Sequence, residues 1–200
     1  ESGVPISIAL VCNSNVNRSM EAHRVLKREE AAGIQVNSYG VSSKIRLPGK
    51  KIDQPNVYDF GTPFRKIYED LARKDRSWYT RNGILEMIGK DSKVKIAPER
   101  WIDKARDENF DLVICYDMRA FDLVSRDYLS RRTFQCRPVH VFGLAVPDKY
   151  DQAKKAAAAT VNILRKLLAN PDWNGHGITD LIQTGEREWG VPMCYRLCFN

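Results

Sequence analysis

Short apolar runs alternate with amphipathic segments along most of the 200-residue chain. Four runs read as strands, and the first, ISIALV, is nearly all apolar and rich in β-branched residues, which is typical of a strand buried on both faces of a sheet. Between and after them, apolar residues recur at steps of three and four, as in helices that pack one face against a sheet. The strands are predicted at residues 6–11, 36–41, 110–117 and 139–146.

The helical segments are predicted at residues 19–30, 120–129 and 153–168, and Gly33 is expected to end the first. Strands that alternate with helices indicate a parallel sheet with helices on both of its faces. The terminal CYRLCF is expected to add an edge strand. The sequence therefore predicts an α/β fold, a three-layer α/β/α sandwich around a mainly parallel sheet of four or five strands.

Residues 42–109 are far too many for a plain crossover, which needs only about 10 to 12 residues. Apolar spacing predicts one helix over residues 64–71 and a second short helix over residues 83–88. The preceding LPGKKIDQPNVYDFGTP is rich in proline and glycine and is predicted to be a loop. We therefore expect one domain over residues 1–200, with a cap-like insertion at about 42–109 beside the carboxyl edge of the sheet.

The chain carries 32 lysine and arginine residues against 25 acidic ones, a formal net charge of +7. Such a charge favours an anionic partner, either nucleic acid or a phosphorylated substrate. The basic residues are scattered rather than arranged in one stripe, so a merely basic surface is the alternative. No apolar run approaches the roughly 20 residues that a membrane helix needs, and we expect no membrane association.

The stretch VCNSNVNRSMEAH joins the first predicted strand to the first predicted helix. Ligands bind at the carboxyl edge of a parallel sheet, and the first strand-to-helix turn commonly binds phosphate. The residues between Cys12 and Arg18 can wrap so that their N–H groups converge on one anion, aided by the helix N-terminus. The planar fork of Arg18 can bind two phosphate oxygens. Cationic neighbours and helix N-termini favour a thiolate, which predicts that Cys12 is a nucleophile.

The other polar residues of this loop fit the same function. Asn15 tolerates the left-handed backbone that a tight loop is expected to need. Ser19 can either cap the helix or donate a hydrogen bond to the thiolate. Three residues are equally well explained as fastenings of the loop or as ordinary turn-formers: Asn13, Ser14 and Asn17.

The segment CNSNVNRS resembles the C-x-x-N-x-x-R-S loop of the low-molecular-weight protein tyrosine phosphatases. Longer segments resemble, in order and spacing, the RNA polymerase II C-terminal-domain phosphatases of the cleavage-and-polyadenylation machinery. These segments are VCNSNVNRSMEAH, SYGVSSKIRLPG, QPNVYDFGTP and YTRNGILEM. The likeness covers roughly residues 8–146, fades over the later helix and returns faintly in the final strand.

The resemblance implies hydrolysis of phosphoserine at the fifth position of the polymerase heptad repeat, before a cis proline. It implies a phosphocysteine intermediate and no metal or cofactor. The implied partners are the phosphorylated C-terminal repeat and a scaffold protein of 3′-end processing in the nucleus, with no direct contact to nucleic acid. Cys12 would be the nucleophile, Arg18 would bind the phosphate and Ser19 would stabilise the thiolate. The implied substrate-binding residues are Asn13, Ser14, Asn15, Val16, Asn17, Leu47, Pro48 and Met87.

A general acid must protonate the departing serine oxygen, and its identity is the least certain part of the site. The resembling family has an aspartate after the fourth strand, in a pattern like V-H-V-x-N-V-D. This chain reads VHVFGLAVPDKYD, which places Ala145 at that position and Asp148 three residues later. Asp148 is the favoured acid because it also matches the D-P-Y loop of the small tyrosine phosphatases. The alternatives are Asp151 or a chain that lacks the acid.

Two other functions use the same loop. A catalytically weakened phosphopeptide-binding protein would keep Cys12 and Arg18 without turnover. An arsenate reductase would need a resolving cysteine, for which Cys115 is the sole candidate. Outside the loop, His140 is expected to be a hydrogen-bonded core residue and His23 a surface or capping residue. Asp117 is expected either to orient the loop or to cap the helix that follows the third strand.

Overall fold

The structure is a computed structural model that describes residues 5–28, 33–131, 136–169 and 177–200. Within this part of the chain there are seven strands. They are β1 (Ile6–Cys12), β2 (Ile34–Gly40), β3 (Ile45–Leu47), β4 (Asn56–Tyr58), β5 (Leu112–Cys115), β6 (Pro138–Leu144) and β7 (Met193–Phe199). Five of them form one sheet in the order β2-β1-β5-β6-β7. The first four of these are mutually parallel, and β7 pairs antiparallel with β6 as the predicted edge strand.

The helices of the described residues lie between these strands. They are α1 (Arg18–Leu26), α2 (Phe64–Arg81), α3 (Ile84–Asp91), α4 (Trp101–Lys104), α5 (Met118–Ser130), α6 (Tyr150–Ala169) and α7 (Gly177–Trp189). A 3₁₀ turn, Ala105–Asp107, follows α4. None of these helices is long and apolar enough to cross a membrane.

Alternate residues of β1 face opposite sides of the sheet, as the period of a strand requires. Ile8 and Leu10 are fully buried in a cluster with residues of α1, α6 and α7. Ala9 and Val11 are fully buried in a second cluster, with residues of α4 and α5. The three-layer α/β/α architecture predicted from the sequence is therefore confirmed.

The residues between β2 and β5 form a third apolar cluster at one end of the sheet. Ile45 and Leu47 of β3 pack there with Phe64, Ile67 and Leu71 of α2, and with Ile88 of α3. Val16 and Met20 belong to the same cluster. The long segment is therefore packed directly against the loop that contains Cys12 and against the first turns of α1.

The structure differs from the sequence prediction in five elements: β3, β4, α2, α7 and α1. The segment predicted to be a loop contains β3 and β4, which form a short antiparallel pair. Helix α2 runs on to Arg81, past an extended residue at Asp75, whose carboxylate accepts a hydrogen bond from the Trp78 N–H at 2.9 Å. Helix α7 was not expected. Helix α1 ends at Leu26, and residues 29 and 30 of its predicted range lie outside the described residues.

Candidate active site

The loop that begins at Cys12 lies at the carboxyl edge of the sheet, between β1 and α1. Its start is fixed to the end of β2, because the Val41 N–H donates to the carbonyls of Cys12 and Asn13 at 3.1 and 3.0 Å. A side chain at Gly40 would prevent this approach. A Cβ there would lie 2.7 Å from the Phe60 ring and 2.9 Å from the Asn13 carbonyl oxygen. The loop and the end of β2 therefore pack backbone to backbone.

Asn15 and Ser19 lie beneath the loop and connect it to the Cys12 sulfur. Asn15 is fully buried and has the left-handed backbone that the sequence predicts, with φ of 54°. Its Nδ2 donates to Ser19 Oγ at 3.0 Å, and Ser19 Oγ lies 3.1 Å from Cys12 Sγ. Because Ser19 Oγ accepts from Asn15, its own proton is available to the sulfur. Ser19 therefore contacts the thiol and does not cap α1.

Arg18 is held by main-chain and carboxylate oxygens from neighbouring strand ends. Its Nη1 donates to the carbonyls of Tyr116 and Val146 at 3.1 and 2.7 Å. Its Nη2 lies 3.0 Å from Asp117 Oδ2, and Asp117 Oδ1 accepts from the Ala120 N–H at 2.7 Å. Asp117 thus both orients the arginine and caps α5. The Arg18 Nε is buried and has no hydrogen-bond partner among the described residues, so it is available to an anion.

Asp148 is the candidate acid that reaches this arrangement. Asn17 Nδ2 donates to its Oδ1 at 2.9 Å, and Arg18 Nη2 lies 3.4 Å from its Oδ2. The Asp148 side chain is 57% exposed, in contrast to 6% for that of Arg18. Ala145 is fixed only by its backbone, whose N–H donates to the Pro192 carbonyl at 3.0 Å.

A cavity of about 180 Å³ opens in front of the loop. Eight of the sequence-predicted site residues line it: Cys12, Ser14, Val16, Asn17, Leu47, Pro48, Met87 and Asp148. The remaining four do not line it, and they are Asn13, Asn15, Arg18 and Ser19. Neither Ala145 nor Asp151 borders the cavity. Arg46, which from the sequence is expected either to attract an acidic substrate or to be solvated, also lines it. Four further lining residues were not predicted to bind substrate: Asn82, Gly83, Ile84 and Tyr150.

Two of these residues, Asn82 and Gly83, carried a signal that could be recognised in the sequence. Asn82-Gly83 is a turn signal, and Gly83 has φ of 73° directly before α3. The turn brings the first turn of α3 to the cavity, next to Met87. Arg46 is adjacent to Leu47 in β3, and its N–H contacts Ser14 Oγ at 3.4 Å. These contacts depend on tertiary packing, which the sequence pattern does not contain.

The two described histidines lie outside the cavity lining. His140 is buried and its Nδ1 lies 2.8 Å from the Tyr195 hydroxyl, so the prediction of a hydrogen-bonded core residue is confirmed. The prediction of a surface or capping role for His23 was wrong. His23 is buried where α1 packs on β2, with Nδ1 2.8 Å from Ser38 Oγ. Burial, with the nearby charges of Lys95 and Lys27, lowers the pKa of His23 to about 3.

A thiol beneath an anion-binding loop, between the first strand and first helix of an α/β sheet, is typical of the cysteine-dependent phosphatases. The sequence profile of the Ssu72-like protein family matches residues 6–200. The chain therefore belongs to the Ssu72-like family, and it is a protein phosphatase by its family.

Characterised relatives match over nearly the whole chain. The RNA polymerase II C-terminal domain phosphatase SSU72 of Gallus gallus is 37% identical over 195 residues, 98% of this chain and 97% of the relative. The Homo sapiens protein of the same name has the same identity and coverage. A solved structure of Drosophila melanogaster Ssu72 with Symplekin, bound to a cis peptidomimetic C-terminal-domain phosphoserine-5 peptide, is 34% identical with a TM-score of 0.89. It covers 98% of this chain and 100% of the solved chain.

Proposed function

We propose that this chain removes phosphate from phosphoserine-proline sites of the RNA polymerase II C-terminal repeat through a phosphocysteine intermediate. The observation that carries the proposal is that Cys12 and Asp148 line one cavity, and that the Arg18 guanidinium lies 3.4 Å from the Asp148 carboxylate. The relatives named as C-terminal-domain phosphatases support the same substrate.

The substrate phosphate is proposed to sit against the loop between Cys12 and Arg18. The loop N–H groups from Asn13 to Asn17 and the N-terminus of α1 would neutralise its charge. Arg18 can offer its free Nε–H and one Nη2–H, because both Nη1 protons are used by carbonyls. Phosphate oxygens would therefore replace Asp148 at Nη2, because the contact between Nη2 and Asp148 is the longest of the Arg18 contacts.

In the first chemical step, the Cys12 thiolate attacks phosphorus. The S–P bond forms while the bond from phosphorus to the serine oxygen breaks, and the proton of Asp148 passes to that oxygen. Ser19 donates its hydrogen bond to the sulfur before attack. Asn17, which holds Asp148 Oδ1, leaves the second carboxyl oxygen available to the leaving group.

In the second step, water attacks the phosphorus of the phosphocysteine. The Asp148 carboxylate takes a proton from that water as the O–P bond forms and the S–P bond breaks. Phosphate leaves, Cys12 returns as thiolate and Asp148 returns protonated for another cycle. Proton and charge thus balance over the cycle using protein groups alone.

The apolar wall of the cavity supports recognition of the residue that follows the phosphoserine. Leu47, Pro48 and Met87 of α3 are all among the lining residues. Such a groove suits a proline ring, which exposes no N–H that would need a partner. The cis peptidomimetic bound by the Drosophila relative supports the cis form of this proline as substrate.

The partner and the place of action follow from the relatives. The Drosophila relative was solved together with Symplekin. We propose that this chain likewise binds a scaffold protein of 3′-end processing, and that it acts on the polymerase in the nucleus. No role in direct nucleic-acid contact is proposed.

The alternative as an arsenate reductase has less support. Cys115 is fully buried, burial raises the pKa of its thiol well above the usual range, and it does not line the cavity. Among the described lining residues, Cys12 is the sole thiol.

The decisive experiment measures phosphate release from a doubled heptad peptide phosphorylated at the fifth-position serine. We expect turnover by the natural chain and a loss on the order of 10⁶-fold in Cys12→Ser, as for other removed nucleophiles. Cys136→Ser is the matched control, because Cys136 is an exposed cysteine outside the cavity lining. Binding of the peptide without turnover in the natural chain would instead support the phosphopeptide-binding alternative.

A further inference from the structure

Lys95 is a lysine whose ammonium lies inside the protein. Lys95 lies four residues after the end of α3, and its side chain is 13% exposed. Nζ donates to the Ser38 carbonyl at 2.8 Å and pairs with Glu99 at 2.5 Å. It also lies 5.5 Å from the centre of the Tyr39 ring. A buried lysine is costly unless its charge is used, and these contacts fix one position for it.

The fourth contact of Lys95 reaches the Cys12 loop. Nζ lies 3.4 Å from Asn15 Oδ1, which also accepts from the Glu99 N–H at 3.0 Å. These two donors fix the orientation of the Asn15 side-chain amide. If the amide were rotated by 180°, its NH₂ group would face the Lys95 ammonium and the Glu99 N–H, which are donors as well. The Asn15 Nδ2 must then face Ser19, as is found at 3.0 Å.

Three hydrogen bonds therefore run in series from Lys95 to the sulfur. Lys95 donates to Asn15 and Asn15 to Ser19, and Ser19 donates to Cys12 when the sulfur is a thiolate, which can only accept. All the protons of this series point toward the sulfur, so each bond polarises the next, and a positive charge at its far end strengthens the effect. Asn15 and Ser19 are fully buried, and Cys12 is 2% exposed, so solvent does little to screen this series of hydrogen bonds.

We propose that Lys95 is a positioning residue of the phosphatase reaction, which orients and polarises Asn15 so that Ser19 stabilises the Cys12 thiolate. The proposal rests on the proposed function in taking that thiolate as the nucleophile. Lys95 touches neither the cavity nor the substrate in this role. Lys95 also joins the segment after α3 to β2 and to the Cys12 loop. The helix that carries Met87 and the loop that carries the nucleophile are therefore connected through the same side chain.

Two carboxylates, those of Glu99 and Glu108, act on the Lys95 ammonium. Burial lowers the pKa of Lys95, while the carboxylates of Glu99 and Glu108 act in the opposite direction. His23 is the nearby basic group on α1, and its pKa of about 3 leaves it neutral. The Tyr39 hydroxyl donates to Glu108, and its ring face lies toward Nζ.

The test compares Lys95→Met, Lys95→Gln and Lys95→Arg with Lys93→Met, a control at an exposed lysine two residues earlier. Each variant also carries Cys136→Ser, and the rate of Cys12 alkylation by iodoacetamide at pH 6 is followed by mass spectrometry. We expect alkylation roughly two- to tenfold slower in the Met and Gln variants, the range that corresponds to one hydrogen bond. Lys95→Arg and Lys93→Met should match the parent. Phosphatase kcat should fall in parallel, with KM nearly unchanged.

The proposal would be overturned if the rate of Cys12 alkylation in Lys95→Gln equalled that of the parent while the variant kept the native circular dichroism spectrum. Equal slowing in Lys95→Gln and Lys95→Arg would also overturn it, since packing rather than charge would then be responsible. If Lys95→Met does not fold, the comparison of Gln with Arg decides. Alkylation needs no substrate, so a parent chain without phosphatase activity would refute the proposed function and leave this result valid.

Discussion

The cavity has two walls of different chemistry. We use the name sheet wall for the lining residues among 12–19 with Asp148, together with the residues that support them from behind the lining, including Arg18 and Asp117. Residues 46–48 with 82–87 are called the insertion wall. The sheet wall contains a thiol, a guanidinium and two carboxylates, held by strand ends and main-chain carbonyls. The insertion wall is largely apolar and is supported by its own cluster of buried residues.

The difference separates two kinds of recognition. A phosphate group needs fixed donors and charge, which the sheet wall supplies at positions fixed by a parallel sheet. The residues next to the phosphate are recognised by shape and burial, which the insertion wall supplies. Damage to the phosphate-binding groups of the sheet wall should therefore reduce activity on every phosphate ester, and damage to the insertion wall should reduce activity only on peptides.

The largest expected effect in this comparison is at Arg18. Arg18→Lys should lower kcat roughly 10³- to 10⁵-fold, the range for a lost arginine at a transferring phosphoryl group. An ammonium can neither bind two phosphate oxygens in a plane nor hold the carbonyls of Tyr116 and Val146. Initial rates on the phosphopeptide and on p-nitrophenyl phosphate should fall alike. Near-normal activity of Arg18→Lys would contradict the role of the guanidinium.

A smaller and substrate-dependent effect is expected at Asp148. Asp148→Asn should lower turnover of the phosphoserine-proline peptide by roughly 10²- to 10⁴-fold, because the serine oxygen needs a proton to depart. Turnover of p-nitrophenyl phosphate should fall much less, since its leaving group departs as a stable anion. Asp151→Asn is the matched control and should change neither rate.

If Asp148→Asn lowers neither rate, Asp148 is not the acid. Ala145→Asp is then the informative variant, since Ala145 stands where the family pattern has an aspartate. A large gain confined to the peptide would show that the natural chain has a disabled acid position.

The smallest expected effect is at the insertion wall. Met87→Ala removes apolar contact area from the insertion wall and should lower kcat/KM for the peptide about tenfold. The rate on p-nitrophenyl phosphate should be unchanged, because that substrate does not extend along this wall. Leu129→Ala, at an exposed leucine of α5, is the control. Equal losses on both substrates would remove the distinction between the two walls.

The sheet wall was largely predictable from the sequence. Its strand and helix have strong periodic patterns, and C-x5-R occupies a short segment whose geometry is nearly local. Asn15 could be assigned a left-handed backbone because few residues adopt one. The contacts of Arg18 with Tyr116 and Val146 could not be foreseen, since they join residues about a hundred positions apart.

The insertion wall was less predictable. Strands β3 and β4 have three residues each, and their pairing depends on Ile45 and Leu47 being buried against α2. The segment that contains β3 and β4 is rich in proline and glycine, and its apolar residues do not recur at a period from which the two strands could be predicted. His23 was misassigned for a similar reason, because a single histidine on a helix has no pattern that indicates what covers it. The acid was uncertain because its loop has neither a period nor a fixed spacing from Cys12.

Next to the strand end, the loop that carries Asp148 contributes main-chain atoms to its polar contacts. The Ala145 N–H bonds to the Pro192 carbonyl, and the Val146 carbonyl accepts from Arg18. Nearly every amino acid has these atoms, so the side chain at 145 can be exchanged with little effect on the path of the loop, whereas Val146 is buried in the core. Substitutions can therefore accumulate here across a family while the carboxylate stays in reach of the arginine. A motif search would miss an acid in such a loop, and the chain trace would find it.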